Sequence, residues 1–210
     1  MSASNSRRAT RGFTLMEVLI ATAILIIGVS AMAALAAVLL TRGRQSRYIN
    51  VAETLASEKL EDLSRYDMAA PQICVQSSDT QEGSLTASVI SNITCPNSTL
   101  SAENIPYYDD VSVDFVTGTD CANANYGCFD ETIYDPVSGL YKPTYHAPDG
   151  TITNSSTGSS TAPTNMTFHR TWLIESNTPV TGTRRITVLV TVTDQSVKPG
   201  VSFQMSTVRQ

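Results

Sequence analysis

The sequence predicts an α+β fold, in which one long amino-terminal helix packs on an antiparallel β-sheet. Two observations carry this prediction. An apolar run at residues 13–40 continues without proline into an amphipathic stretch at residues 41–66, which is typical of a single long helix. Residues 67–210 then contain short alternating segments separated by turn residues, which is typical of strands.

The run at residues 13–40 predicts a transmembrane helix. It has 28 residues, with no proline, one glycine and a single charge at Glu17. At about 1.5 Å per residue such a helix is roughly 42 Å long, which exceeds the ~30 Å hydrocarbon core of a bilayer.

The stretch at residues 41–66 predicts an amphipathic helix that supports a domain. A single apolar stripe on a helix needs a surface on which to pack. On the polar side, Glu61 and Arg65 stand four residues apart, where an ion pair can form. Pro71 is expected to close the helical region. The stripe is formed by Tyr48, Ala52, Leu55, Leu60 and Leu63.

Residues 67–210 predict a β-rich head. Short polar connections between the last three expected strands indicate an antiparallel meander. Residues 120–165 contain Pro, Gly and Asp turn signals and a Ser/Thr-rich tail, so we expect this section to be loop-rich. The expected strands are residues 84–93, 111–116, 168–175, 184–193 and 201–208.

The charge of the chain argues against nucleic-acid binding. The formal net charge is −5, and removal of an amino-terminal leader with Arg7, Arg8 and Arg11 would leave 11 basic and 19 acidic side chains. A protein that binds a phosphate backbone needs basic patches instead.

Four cysteines follow the apolar run, and none forms a C-x-x-C pair. An even number outside a membrane segment suggests two disulfides in an oxidising compartment. Three pairings are possible, and sequence proximity alone favours Cys74–Cys95 with Cys121–Cys128.

No motif in the sequence indicates catalysis or metal binding. There is no G-x-S-x-G, no H-E-x-x-H and no Gly-rich phosphate loop. His146 and His169 are far from the cysteines in sequence, which disfavours zinc, and we expect both to be structural or surface residues. The clustered aspartates match no EF-hand loop, so solvated turns are favoured over a calcium site. We therefore expect no enzymatic activity and no cofactor.

Three interpretations of the amino terminus are open from the residues. The first is a secretory signal peptide that is cut after the apolar run, near residues 31–33. The second is a simple single-pass anchor. The third is a cut between Gly12 and Phe13, which would place a free α-ammonium four residues before Glu17. Only the third explains Glu17, because an unpaired charge in a membrane segment costs about 2.5–3.5 kcal/mol.

The segment RGFTLMEVLIA at residues 11–21 resembles the class III signal of type IV prepilins and of the pseudopilins of type II secretion. The resemblance implies that residues 1–12 are a leader and that a prepilin peptidase cuts after Gly12 and methylates Phe13. It also implies that Glu17 is the carboxylate used in filament assembly, with residues 13–40 forming the filament core.

Residues 52–63 are similar to the helix of minor pilins of the PilV class and of the type II pseudopilin I. Minor pseudopilins of the K class lack the carboxylate at Glu17, and the long section at residues 120–165 favours a minor pilin. The resemblance thus implies a minor type IV pilin that acts in pilus assembly, initiation or at the tip. A type II secretion pseudopilin and a tip adhesin that binds through residues 120–165 are the alternatives.

The resemblance also implies partners and location. The expected partners are the prepilin peptidase, other pilins, the inner-membrane assembly platform and the membrane itself. The expected location is the bacterial inner membrane before assembly, with a periplasmic or extracellular head, and a surface filament afterwards.

Overall fold

The computed structural model describes residues 14–95, 102–116, 128–146, 152–154, 158–163, 166–193 and 200–210. The chain forms two compact units that divide between Arg44 and Gln45. The described elements are α1 (Leu15–Arg65), β1 (Gln81–Gly83), β2 (Ile90–Ile93), β3 (Glu103–Pro106), β4 (Tyr108–Val116), β5 (Cys128–Asp135), β6 (Leu140–His146), β7 (Ile152–Asn154), β8 (Met166–Ser176), β9 (Arg184–Val192) and β10 (Ser202–Arg209).

In the first unit, the described residues are almost entirely helix, and residues 14–44 are all exposed. This part of α1 contains a window of 18 residues with a mean hydropathy of 2.7, which makes it long and apolar enough to cross a membrane. An apolar helix surface without a protein covering is suited to lipid or to the helices of other subunits.

In the second unit, the remainder of α1 buries one face. Ala52, Leu55, Leu60 and Leu63 are buried as the helical spacing predicts, together with Ala56, and Tyr48 packs against them. The ion pair between Glu61 and Arg65 is present, with 3.1 Å between carboxylate oxygen and guanidinium nitrogen.

α1 ends several residues before Pro71, the residue that is expected to close the helical region. It stops at Arg65, and a turn begins at Asp67, whose side-chain carboxylate accepts a 2.8 Å hydrogen bond from the Ala69 N–H. The backbone carbonyl of Asp67 accepts a second bond from the Ala70 N–H. An aspartate that bonds nearby backbone groups competes with helix continuation, which explains the earlier stop.

The main sheet has the order β10-β9-β8-β4-β5-β6-β7, and β1 pairs with β8. All of these pairings are antiparallel, and the predicted meander is confirmed as β8-β9-β10. β2 and β3 form a separate antiparallel pair. The core lies between the buried stripe of α1 and the alternating side chains of the central strands, among them Phe168, Trp172, Ile174, Ile186, Val188 and Val190.

Two expectations about the strands are wrong in part. Within residues 84–93 only Ile90–Ile93 is a strand, because the chain leaves β1 at Gly83 with a φ of +83° and crosses towards β2. Residues 120–165 are expected to be loop-rich, yet β5, β6 and β7 all lie within this section. Pro143 in β6 and the frequent turn residues obscured the alternation by which strands are recognised.

Candidate functional site

The amino-terminal candidate site is built on the first turn of α1. The Thr14 hydroxyl and carbonyl oxygens both accept from the Glu17 N–H, at 3.3 and 3.1 Å. Thr14 and Glu17 have the spacing of a capping box, in which a threonine precedes the helix and a glutamate follows three residues later. Glu17 is exposed and acidic in the first turn, where the helix dipole stabilises a negative charge. The local sequence therefore fixes the carboxylate at the start of the helix.

Glu17 has no ion pair with any residue in the described part of the chain. Gly12 and Phe13 lie outside the described residues, so cleavage between them and methylation of Phe13 stay predictions. A new α-ammonium on Phe13 would directly precede the capping Thr14 in the sequence.

A buried charged cluster lies inside the head, where α1 meets the sheet. Arg170 on β8 donates to both carboxylate oxygens of Asp109 on β4, from Nε at 2.7 Å and from Nη2 at 3.0 Å. Its Nη1 donates to the backbone carbonyl of Leu55 on α1 at 3.4 Å and lies 3.8 Å from a carboxylate oxygen of Glu131 on β5. Lys59 on α1 places Nζ 3.5 Å from Asp109. One guanidinium therefore joins the helix to three strands.

The charges of this cluster are almost fully removed from water. Arg170, Asp109 and Glu131 are 2%, 4% and 0% exposed. Burial alone would raise the pKa of Asp109, but Arg170 and Lys59 hold it below its ordinary value. Buried ions are tolerated when they are paired and hydrogen-bonded in this way. The cluster therefore fixes which part of α1 lies over which strands.

The head also contains the disulfide Cys74–Cys95, the first of the two pairings favoured by sequence proximity. Its Cα atoms are 6.0 Å apart, and the bond joins the turn after α1 to the end of β2. Both cysteines are buried. Cys121 and the side chain of Cys128 lie outside the described residues, so the second pairing stays a prediction.

A hydrogen-bonded chain of three side chains was missed by the sequence analysis. His169 on β8 stands opposite Asp110 on β4 in the strand register, and its Nδ1 lies 2.7 Å from Asp110 Oδ1. The Ser88 hydroxyl, on the segment between β1 and β2, lies 3.3 Å from His169 Nε2. These contacts join residues 59 and 81 positions apart, and no local motif could indicate them. The side chain of the other histidine, His146, lies outside the description.

Several acidic side chains of the head, among them Asp135 and Glu175, form ion pairs with Lys or Arg side chains. Asp135 accepts a 2.7 Å hydrogen bond from Lys142, and burial is outweighed by this and other hydrogen bonds, so the pKa of Asp135 falls to about 2. Within the described residues, no group of three or more His, Cys, Asp or Glu side chains could hold a metal ion.

A pocket of about 450 Å³ opens in the head between the second half of α1 and β3. Its lining includes Tyr66, Lys59, Trp172 and Asp135. The Lys59 ammonium lies 4.1 Å from the centroid of the Trp172 ring, and Asp135 is bound by Lys142, so these charged groups already have partners in the protein.

Comparison with known sequence families gives a match in the amino-terminal region. A sequence-family model described as the prokaryotic N-terminal methylation motif matches residues 7–33. No curated protein and no solved structure matches the chain. The matched residues include Gly12, Phe13, the capping Thr14 and Glu17, so the motif covers the site that the helix start builds.

Proposed function

We propose that this chain, a type IV pilin-like protein, is a minor type IV pilin that is processed by prepilin peptidase and enters a filament. The observation that carries the proposal is the methylation motif at residues 7–33, together with Glu17 held in the first turn of α1. The proposed role is structural, since the motif is a processing signal and the helix behind it is an assembly surface.

The exposed apolar surface of α1 is suited both to a membrane and to the core of a filament. From residue 14 to residue 44 no side chain is covered by the protein itself. In the membrane, lipid tails cover this surface; in a filament, the apolar helices of neighbouring subunits replace them. Packing energies in the two environments are comparable, so the helix can leave the bilayer without exposure to water.

Glu17 supplies the specific interaction in this proposal. Its carboxylate lacks an ion pair among the described residues, and a charge in apolar surroundings needs a partner. The α-ammonium of Phe13, on a neighbouring subunit after the leader has been removed, is such a partner. The contact would define the axial step at which one subunit docks on the next.

The head is attached firmly to the second half of α1, which belongs to the same compact unit. The second half of α1 is held by the buried stripe and by the guanidinium of Arg170. The location of the helix stripe within the core means that the head cannot slide along α1 without exposing Leu55 or Leu60.

A pseudopilin of type II secretion is the second candidate, favoured by the similarity of residues 52–63 to the pseudopilin I helix. The same signal and the same carboxylate serve both machines, so Glu17 does not discriminate between them. The tip adhesin hypothesis relied on a loop-rich section at residues 120–165, and the strands β5 and β6 weaken that basis.

The test is to identify the amino-terminal peptide by mass spectrometry in two fractions, sheared surface fibres and membranes. A methylated Phe13 terminus in the fibres is the result expected for a minor pilin. The same terminus confined to membranes favours the pseudopilin. A peptide that retains Met1, or one that begins after the apolar run, would overturn the proposal in both forms.

A further inference from the structure

We propose that Ser88, His169 and Asp110 form a surface nucleophilic site that takes acyl groups from small activated esters. The proposal concerns the head alone and is independent of the role in filaments. A nucleophile and a base within hydrogen-bond reach, with the base oriented by a third group, is the arrangement that activates a serine hydroxyl.

The hydrogen bonds among the three groups define the direction in which a proton can move, from Ser88 to His169. An ionised carboxylate can only accept hydrogen bonds, so His169 Nδ1, 2.7 Å from Asp110 Oδ1, carries the proton of the neutral imidazole. Nε2 is then the acceptor, and it faces the Ser88 hydroxyl at 3.3 Å. Ser88 can therefore give its proton to His169 while Asp110 stabilises the imidazolium that results.

The fold holds each of the three groups in place. Asp110 and His169 are register partners on adjacent antiparallel strands. Ser88 lies between two tethers of its segment: the Leu85 carbonyl accepts from the Thr171 hydroxyl at 3.2 Å, and the Val89 carbonyl accepts from the Tyr107 N–H at 2.8 Å.

The start of that segment is fixed as well. Gly83 has a φ of +83°, and a Cβ at this position would collide with the Trp172 carbonyl and the Tyr107 ring. The segment therefore leaves β1 in a direction that only glycine permits. This path places Ser88 beside His169.

The groups that face His169 favour its charged form. The hydrogen bond and the charge of Asp110, and the charge of Asp109 behind it, raise the pKa of His169, although burial opposes them. The Tyr108 ring lies against the imidazole, with 5.9 Å between centroids, and Thr191, the register partner of His169 on β9, donates a hydrogen bond from its hydroxyl to the His169 carbonyl. The neutral, basic form thus predominates only above a pKa that is higher than 6.5.

The proposed reaction balances with water as the only co-reactant. Ser88 Oγ forms a bond to the carbonyl carbon of an ester, and its proton moves to His169 Nε2. The ester C–O bond breaks, and the leaving alcohol takes that proton. Water then attacks the acyl-serine with His169 as base, which releases the carboxylic acid and restores Ser88.

The exposure of the site defines its substrate class. Ser88 is exposed, and the side chains of His169 and Asp110 are 24% and 33% exposed. Small molecules can reach the hydroxyl directly from solvent. Small esters with good leaving groups, and the fluorophosphonates that report on activated serines, are therefore the expected reactants.

The full chain in detergent micelles, treated with a fluorophosphonate probe, tests the proposal, with the modified residue located by peptide mapping. We expect adducts on Ser88, formed about 10²-fold more slowly in His169→Gln, as expected when a general base is lost. Ser202→Ala, which removes an exposed serine on β10, serves as the control and leaves the rate unchanged. Absence of an adduct on Ser88, or an equal rate in His169→Gln, overturns the proposal.

Asp110 acts as a positioning residue, and its test is the pH profile. In the unaltered chain the adduct rate rises with pH through a midpoint above 6.5. Asp110→Asn should move that midpoint down and lower the plateau, whereas Asp110→Glu should restore part of both. A thermal melt of each variant shows that the head is folded. An unchanged profile in a folded Asp110→Asn variant contradicts the proposal.

Discussion

Arg170 holds Asp109 through two parallel hydrogen bonds, of 2.7 and 3.0 Å, between the adjacent strands β8 and β4. The same guanidinium donates to the Leu55 carbonyl of the helix above them. The pair is buried, and it depends on a planar guanidinium that donates two parallel hydrogen bonds. A lysine ammonium at this position could not make the same contact. The attachment of the helix to the sheet therefore depends on the shape of one side chain.

Arg170→Ala is expected to destabilise the head by about 3–5 kcal/mol, because it leaves buried carboxylates without their principal partner. Arg170→Lys should recover only part of the loss, since an ammonium cannot donate two parallel bonds. The measurement is the free energy of unfolding from denaturant titration of the detergent-solubilised chain.

Arg185→Ala is the matched control. Arg185 makes the same bidentate contact with Glu175, at 2.7 and 2.8 Å, but the two side chains are only partly buried, at 42% and 19% exposed. Water screens a pair that it can reach, so the loss in Arg185→Ala should be much smaller. Equal losses in the two variants would show that burial of the Arg170 pair has no energetic consequence.

Reduction of the disulfide between Cys74 and Cys95 gives a second prediction. The bond spans a sequence separation of 21 residues, and its removal in Cys74→Ser/Cys95→Ser should destabilise the head by about 3 kcal/mol. The midpoint of denaturant unfolding measures the effect. Addition of dithiothreitol should lower the midpoint of a Cys121→Ser/Cys128→Ser background by a similar amount; no shift there would contradict the prediction.

The sequence predicted those parts of the fold that depend on local periodicity. Leu55, Leu60 and Leu63 repeat at helical spacing, and Ile186 to Val192 alternate, so the helix stripe and the meander could be identified. β6 could not be identified in the same way, because Pro143 interrupts its pattern.

The two polar clusters of the head depend on contacts between distant residues. Arg170 shares one face of β8 with the buried apolar residues Phe168, Trp172 and Ile174, which is a visible signal for a buried charge. Its partner Asp109 has no such signal, because the pairing of β4 with β8 follows from the sheet order. The same holds for Asp110 and His169.

His169 predicts a dependence of stability on pH. Its folded pKa is raised above 6.5, chiefly by the hydrogen bond with Asp110. The stabilisation is thus fully present below pH 6.5 and is lost as the pH rises through the folded pKa. Thermal melts across this interval should show a falling midpoint, and His169→Gln should remove the part of the slope due to this residue. An identical slope in the variant would contradict the assignment.

The last prediction concerns Glu17 and filament incorporation. Glu17→Gln keeps the size of the side chain and its place in the first turn but removes the charge that the proposed ammonium partner requires. The cost of an unpaired charge in apolar surroundings is about 2.5–3.5 kcal/mol, which corresponds to roughly 10²-fold in an equilibrium. We therefore expect normal membrane levels and normal leader cleavage, with the chain depleted from sheared fibres, as measured by quantitative mass spectrometry of both fractions.

Glu53→Gln is the matched control, since Glu53 is also exposed on α1 but lies beyond the apolar run. This substitution removes one negative charge from the same helix and should leave incorporation into fibres unchanged. Because both variants lose one negative charge, a difference between them isolates the effect of position in the helix. If Glu17→Gln enters fibres as well as Glu53→Gln does, the carboxylate has no part in docking, and the chain is better described as an anchored domain.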